Sequence, residues 1–198
     1  MRKGEKTRQR VIETAAKVLN RHGYAGSGIS ELMDATGLAK GGIYRHFESK
    51  QELAVEAFRY AFAQVLTLRF EDLDSVPDAA DKLVKYVEGY AAKESPIPGG
   101  CPVLNTGIEN DDGNPALLKC AQDAFDTVVH RLAEIIRDGQ KKNEIRPEIV
   151  PEDFALFLYS ALEGGIFASR LQGNRQRLKT VTRHLLLFIE SQVRSKRP

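Results

Sequence analysis

Apolar residues recur along this chain at intervals of three and four, the spacing of one face of an α-helix, and no β-branched run alternates with polar residues between turn signals. The pattern predicts an all-α protein. Residues Lys6 to Arg21 place Val11, Ile12, Ala15, Val18 and Leu19 on one stripe, and Gly23 suits the left-handed residue that ends a helix. A short second helix turns Ile29, Leu32 and Met33 inward, with the Ser27 hydroxyl available as its N-cap, and Thr36-Gly37-Leu38 breaks it. A third, from Lys40 to Phe47, buries Ile43 and Phe47 one turn apart. Ser49 and Glu52 have the spacing of a capping box and open a long fourth helix with Leu53, Ala57, Ala61, Val65 and Leu68 inward.

The remainder continues in the same period. Pro77 stands in the first turn of a fifth helix that reaches Lys93 and is ended by Ser95-Pro96-Ile97-Pro98-Gly99-Gly100. Asn114-Pro115 starts a long helix whose inner face carries Leu118, Ala121, Phe125, Val128, Leu132, Ile135 and Ile136. Two helices close the chain, Glu152 to Leu171 and Arg175 to Val193, split at Gln172-Gly173-Asn174, a composition suited to a tight antiparallel turn. Arg194 to Pro198 reads as a frayed polar tail. With a short helix expected before Asn114, the total comes to about nine.

Composition narrows the function classes. At 198 residues and 42% hydrophobic the chain can bury a sizeable core, and no run of some 18 apolar residues suggests a membrane span. The N-terminus lacks the apolar core of a signal peptide, and two cysteines are too few for a disulfide framework, so a cytoplasmic protein without a membrane partner is expected. Residues 1–50 hold ten Lys and Arg against five Asp and Glu, a local +5, which leaves −3 on the rest of a chain whose net charge is +2. An anionic partner for the N-terminal quarter fits that asymmetry. Chemistry-bearing motifs are missing: there is no Gly-rich phosphate loop, zinc-ligand cluster or carboxylate pair on a clear motif. Cys101 with His130 or His184 is the only nucleophile and base to nominate for a cysteine-dependent enzyme, and its spacing matches nothing recognisable. No catalytic residue, cofactor or metal is expected.

The first three helices, with the short second and third joined through Gly37, have the layout of a helix-turn-helix. Gly23-Tyr24, Ser27-x-Ile29, Gly37-Leu38-Ala39-Lys40-Gly41-Gly42-Ile43-Tyr44-Arg45-His46-Phe47 and Ser49-Lys50-x-x-Leu53 together resemble the signature of TetR-type transcriptional repressors over residues 7–53. The likeness implies a DNA-binding domain over residues 1–50 and a ligand-sensing, dimerising helical bundle over 51–198. With Ile43 and Phe47 inward, the opposite side of the third helix shows Lys40, Gly41, Gly42 and Arg45 to the major groove. The glycines weaken the helix yet let the backbone approach the bases, and Arg45 suits bidentate contact with guanine. Tyr44, His46, Lys50, Lys40 and the Ser27 hydroxyl are expected on phosphates. One position departs from the family pattern: Ala39 stands where Ser or Thr is usual, which removes the hydroxyl cap of the third helix.

Such repressors read a pseudo-palindromic operator as homodimers. The expected seam is the last two helices, through Gly165 and Ala168 on one and Leu178, Val181, Leu185 and Ile189 on the other, a stripe that intramolecular packing must share. Two releasing signals stay open. Gly100-Cys101 followed by Asn105 resembles a stretch in a subgroup that includes repressors sensing electrophiles through cysteine, so modification of Cys101 is one. A small molecule held among the fifth to seventh helices, lined by Phe62, Tyr86, Tyr90, Asn105 and Phe125, is the other. A DNA-binding activator shares the motif and differs only in outcome at the promoter.

Overall fold

A computed structural model describes residues Lys3 to Ser195. The helices are α1 (Lys3–His22), α2 (Ile29–Thr36), α3 (Lys40–Tyr44), α4 (Lys50–Phe70), α5 (Ala79–Ala92), α6 (Pro102–Asn110), α7 (Pro115–Lys141), α8 (Pro151–Gln172) and α9 (Gln176–Phe188), which runs into a π-helical turn over Ile189–Val193. Among the described residues the sole extended pairing is a bridge between Ile145 and Arg194, so the fold is all-α as the periodicity predicts.

The chain divides into two compact units, and the division does not fall at residue 50. Residues up to Val65 join Ser95–Ala124 in the first unit, while Leu66–Glu94 join the chain from Phe125 onward in the second. The reason lies in α6, whose side chains hydrogen-bond back to the end of α1 and the loop after it and carry the 95–124 segment with the head.

In the first unit Val11, Ile12 and Ala15 of α1, Leu32 of α2, Ile43 of α3, Phe47, and Leu53 and Ala57 of α4 form one core with Ile97. Gly23 ends α1 at φ +78° and Gly37 ends α2 at φ +70°, where its N–H donates to the Met33 carbonyl. Helix α3 is shorter than its pattern suggests and stops at Tyr44. The chain nevertheless stays right-handed at Arg45, and the Phe47 N–H still donates to the Ile43 carbonyl, so both apolar anchors are buried. At the start of α4 the Glu52 N–H donates to Ser49 Oγ at 3.0 Å, and the Glu52 carboxylate accepts from the Glu48 N–H at 2.6 Å. This is the expected capping box with its return bond moved one residue outward.

In the second unit Asp78 caps α5 by accepting from the Asp81 N–H, so Pro77 lies ahead of the helix rather than within its first turn. The other end of α5 is closed by two guanidinium groups: Arg69 Nη1 donates to the Gly89 and Lys93 carbonyls, Arg175 Nη2 to those of Tyr90 and Lys93. Cations there satisfy helix-end carbonyls and oppose the negative end of the dipole. Helices α8 and α9 form an antiparallel pair about Gly173, at φ +67°, with Ser169 Oγ accepting from the Leu178 N–H at 2.7 Å. Helix α8 is long and apolar enough to cross a membrane by length and composition, yet 44% of that window is buried inside the protein.

Arg194 does not belong to a frayed tail. Its guanidinium pairs with Asp78 at 3.1 Å, Asp81 at 2.6 Å and Glu190 at 2.8 Å, while the Arg146 N–H and Ser195 N–H tie the same stretch of backbone to Val193 and Glu144. Of the expected tail, Lys196 to Pro198 lie outside the described residues. The hydrogen bond from Arg194 holds the Glu190 carboxyl below its usual range. A carboxyl depressed in the folded state contributes stability above its unfolded pKa, and that contribution fades as pH falls through the folded value. Arg194→Ala is expected to lower stability at pH 7 by about 1 kcal/mol, because three carboxylates, two of them half exposed and screened by water, lose their shared cation, and by clearly less under acid conditions. Chemical denaturation of both proteins at the two pH values measures the difference.

Candidate nucleic-acid interface and sensor region

The exposed side of α3 carries Lys40, Gly41, Tyr44 and Arg45. A Cβ built on Gly41 would meet nothing within 4 Å, so the glycine leaves a bare stretch of backbone between two cations. Lys40 Nζ lies 6.0 Å from the Tyr44 ring, whereas the Arg45 guanidinium, among the described residues, makes no internal ion pair. Ala39 is the N-cap and supplies no side-chain hydrogen bond, as its lack of a hydroxyl requires.

Four residues read from the sequence as belonging to this face are placed differently. Ser27 is 0% exposed, its hydroxyl is buried without a hydrogen-bond partner, and the N-cap of α2 is Gly28; the hydroxyl is therefore not presented at the surface. Gly42 packs toward Leu38, where a Cβ would make ordinary contact at 3.5 Å. His46 is half-buried, edge-on to Phe47. Lys50 is spent inside the head: its Nζ donates to the Tyr24 carbonyl and lies 4.3 Å from the Tyr24 ring, which fixes the α1–α2 loop instead of leaving a cation for phosphate.

Asn105 belongs to a polar latch between α6 and α1 rather than to a cavity lining. Asn105 Nδ2 donates to the backbone oxygens of Asn20 and Gly99 at 3.0 and 2.9 Å and to Asn20 Oδ1 at 3.1 Å. Asn20 Nδ2 donates to the Pro98 and Gly100 carbonyls. One turn beyond Asn105, the Glu109 carboxylate accepts from the Tyr24 and Ala25 N–H groups at 2.8 and 2.9 Å. The latch explains two glycines. A Cβ on Gly99, at φ +107°, would fall 2.4 Å from the Asn20 carbonyl, and one on Gly23 would fall 2.4 Å from the Glu109 carboxylate. Asn20 and Glu109 were not legible in the sequence; an asparagine on the inner side of α1 was the one available signal.

Cys101 is the N-cap residue of α6 and only 6% exposed, which argues against the accessible thiolate an electrophile would need; Cys120 is half-buried in α7. A cavity of about 30 Å³ lies beside the latch, lined by Asn20, Ala57, Phe58, Pro102, Thr106 and Glu109 among others, with room for roughly one water and not for an organic effector. Phe62 stacks on Phe58 in the same unit, 6.4 Å between centroids.

The other expected lining residues meet in the second unit. Tyr86 and Tyr90 sit one turn apart on α5 with their hydroxyls 3.2 Å from each other. Phe70 packs on Tyr86 at 5.1 Å, and Phe125 packs on Tyr159 of α8 at 5.0 Å. Glu163, one turn after Tyr159, is 6% exposed. Burial, then the neighbouring Tyr86, Glu163 and Tyr159, push the Tyr90 phenol well above its ordinary pKa, so it stays a neutral hydrogen-bonding group.

The stripe nominated for dimerisation is largely consumed within one chain. Gly165 is buried against Leu178 and Val181, with 3.0 Å from a built Cβ to Leu178 Cδ1, and Leu178, Leu185 and Ile189 are all buried; Ala168 and Val181 are half-buried. The face left open is rotated around the same helices. It carries Phe157, Gly164, Phe167 and Leu171 on α8 and Leu187 and Phe188 on α9, with Phe167 50%, Leu187 60% and Leu171 68% exposed. A Cβ on Gly164 would meet nothing, so this glycine leaves a shallow dip in an apolar surface. Sequence periodicity missed the face because α8 is apolar on nearly all sides.

A head of three helices with a bare, basic α3 surface, followed in the chain by a helical body, defines a helix-turn-helix DNA-binding regulator. The chain matches the model for bacterial regulatory proteins of the tetR family over residues 11–57 and the tetracyclin repressor-like C-terminal domain over residues 79–185; it belongs to the TetR family of transcriptional regulators. It is 30% identical over 178 residues to the HTH-type transcriptional repressor DhaR of Mycobacterium sp. strain GP1, covering 86% of each chain. The crystal structure of a TetR transcriptional regulator from Chloroflexus aurantiacus superposes with a TM-score of 0.94 at 39% identity, covering 99% of this chain and 100% of that one. A regulator from Saccharomonospora viridis, solved in complex with choline, matches with a TM-score of 0.82 at 25% identity over 97% of this chain and 100% of that one.

Proposed function

We propose that this TetR-family regulator is a cytoplasmic repressor that binds a pseudo-palindromic operator as a homodimer and releases it when a small molecule occupies the second unit. The observation that carries the reading is the open face of α3, where Arg45 stands beside the bare backbone of Gly41 with Lys40 and Tyr44 at its flanks. Arg45 reads a base edge; Lys40 and Tyr44 hold the flanking phosphates. Dimerisation joins the open apolar faces of α8 and α9 from two copies, a surface whose exposed phenylalanines and leucines otherwise face water.

Release by a ligand is favoured over release by cysteine modification because Cys101 is buried. The choline held by the Saccharomonospora viridis protein supports a small-molecule effector in a fold of this kind. The latch of Asn105 and Glu109 makes α6 and the reading head one packed body, so a displacement of α6 moves the head with it.

The test is operator selection from random DNA, followed by titration of wild type and Arg45→Ala. The substitution is expected to cost about 1–3 kcal/mol of specific affinity while non-specific binding persists, since a bidentate contact to a guanine is worth that much. Unchanged discrimination by Arg45→Ala would remove Arg45 from the reading face. If wild type selects no sequence, the repressor reading itself fails.

A further inference from the structure

We infer that the outward face of α1 is a second DNA-binding surface, which holds the phosphate backbone of a duplex other than the one read by α3. Lys3, Lys6, Arg10, Lys17 and Arg21 are all exposed on α1. At about 100° per residue they fall within about 60° of one another around the helix, on the far side from the Val11, Ile12 and Ala15 stripe that enters the core. The five span about 27 Å, a length over which one strand of B-DNA offers about eight phosphates. Among the described residues none of them is paired with a carboxylate. Arg8 shows the contrast: it turns toward the core, bridging Glu52 and Glu56 of α4 with its guanidinium 4.8 Å from the Phe47 ring centre. Glu13, at the edge of the stripe, is half-buried and held by Gln9 Nε2 at 3.0 Å. Of the ten Lys and Arg in residues 1–50, five therefore lie here and only Lys40 and Arg45 on the open face of α3.

The chemistry of the face selects a polyanion. No large apolar side chain of α1 is exposed, so the face lacks the aromatic and aliphatic anchors of a protein interface, where lysine is depleted. It equally lacks the apolar stripe with which a basic helix enters a membrane surface, because that stripe is buried in the head. Duplex DNA needs no such anchor: Lys and Arg alone contact its phosphates and release the condensed counterions. Direction decides which duplex. Helices α1 and α3 belong to one compact unit and share one core, to which α1 gives Val11 and Ile12 and α3 gives Ile43. Their open faces point away from that core on different sides, so a straight duplex lying along α3 passes the stripe by. Duplex DNA, with a persistence length of about 150 base pairs, does not turn round a head of three helices without a large deformation cost. A second segment meets the stripe undeformed. The regulator thereby joins two DNA segments, one chosen by sequence through α3 and one held by charge alone through α1.

The test uses the full-length protein on an immobilised operator duplex, washed free of unbound protein, with a labelled 60-base-pair duplex of unrelated sequence in solution. With the reading helices occupied by the operator, the labelled duplex is expected to be retained at 100 mM salt. Its affinity should fall about twentyfold at 200 mM, as five phosphate contacts require. Arg10→Gln, Lys17→Gln and Arg21→Gln combined preserve helix propensity and should cut retention at least tenfold with the melting temperature unchanged. Operator affinity of that variant at 150 mM salt should stay within threefold of wild type, because charges turned away from the operator are screened over about 8 Å. No retention by wild type, or a smaller cut in the triple variant, would overturn the inference. A larger loss of operator affinity would overturn it too, by placing the stripe on the operator duplex itself. So would a preference of the α1 face for polyglutamate or phosphatidylglycerol vesicles over duplex DNA, which would assign it to an acidic protein or a membrane. If wild type selects no operator, the reading of α3 fails by itself, and capture between two unrelated duplexes still tests α1.

Discussion

Replacing Phe167 by Asp is expected to convert the protein to a monomer at micromolar concentration and to lower operator affinity by at least about a hundredfold, with the fold of the single chain intact. Phe167 is half exposed and flanked on its own helix by Gly164 and Leu171, so a carboxylate there stays hydrated in the monomer and is desolvated only in the dimer. The loss of affinity follows from geometry: one head contacts one half-site, and only a pair held at fixed spacing adds the two free energies. Sedimentation and operator titration measure the two effects separately. Leu178→Asp makes the contrast. Leu178 packs under Gly165 within one chain, so that substitution should destabilise the monomer itself rather than dissociate a dimer of folded chains. If Phe167→Asp remains dimeric, the open face of α8 is not the seam.

Asn105→Ala should lower stability by about 2–3 kcal/mol and raise hydrogen exchange around Gly23 to Ala25 more than in the core of α1. A single side-chain amide serves Asn20 Oδ1 and the backbone oxygens of Asn20 and Gly99, and its removal leaves these buried or half-buried acceptors without that donor. Glu109 would still hold the Tyr24 and Ala25 N–H groups, so the head stays folded and the altered property is its attachment to α6. Operator affinity measured with and without an effector then reports whether that attachment carries the signal. An exchange pattern unchanged near Gly23 would show that the latch contributes nothing to order in the head.

Both predictions concern positions at which local pattern and tertiary contact diverge. The period of the apolar residues determined the helices, and the turn residues determined their ends where backbone conformation alone decides: Gly23, Gly37 and Gly173 all adopt the left-handed geometry their places demand. The head was legible because its short helices, its anchors Ile43 and Phe47 and its basic α3 are all local features in fifty consecutive residues. Capping was legible only at some helix ends. Ser49 caps α4, but Ser27, an equally good candidate by chemistry, lies buried while Gly28 takes the cap.

What the sequence alone determined is therefore the class of the protein and the exposed α3 surface beside which Arg45 stands. The tertiary structure decided which of several equivalent surfaces each helix spends internally. Helices α8 and α9 offer more apolar surface than one chain can bury, and periodicity cannot say that Leu178 and Leu185 go inward while Phe167 and Leu187 remain open. Lys50 and Asn105 look on paper like contacts for a phosphate and an effector, yet each is bonded to backbone distant in sequence, Lys50 to Tyr24 and Asn105 to Asn20. A backbone carbonyl leaves no mark in sequence to show which side chain will satisfy it, and that choice is made only when the chain folds.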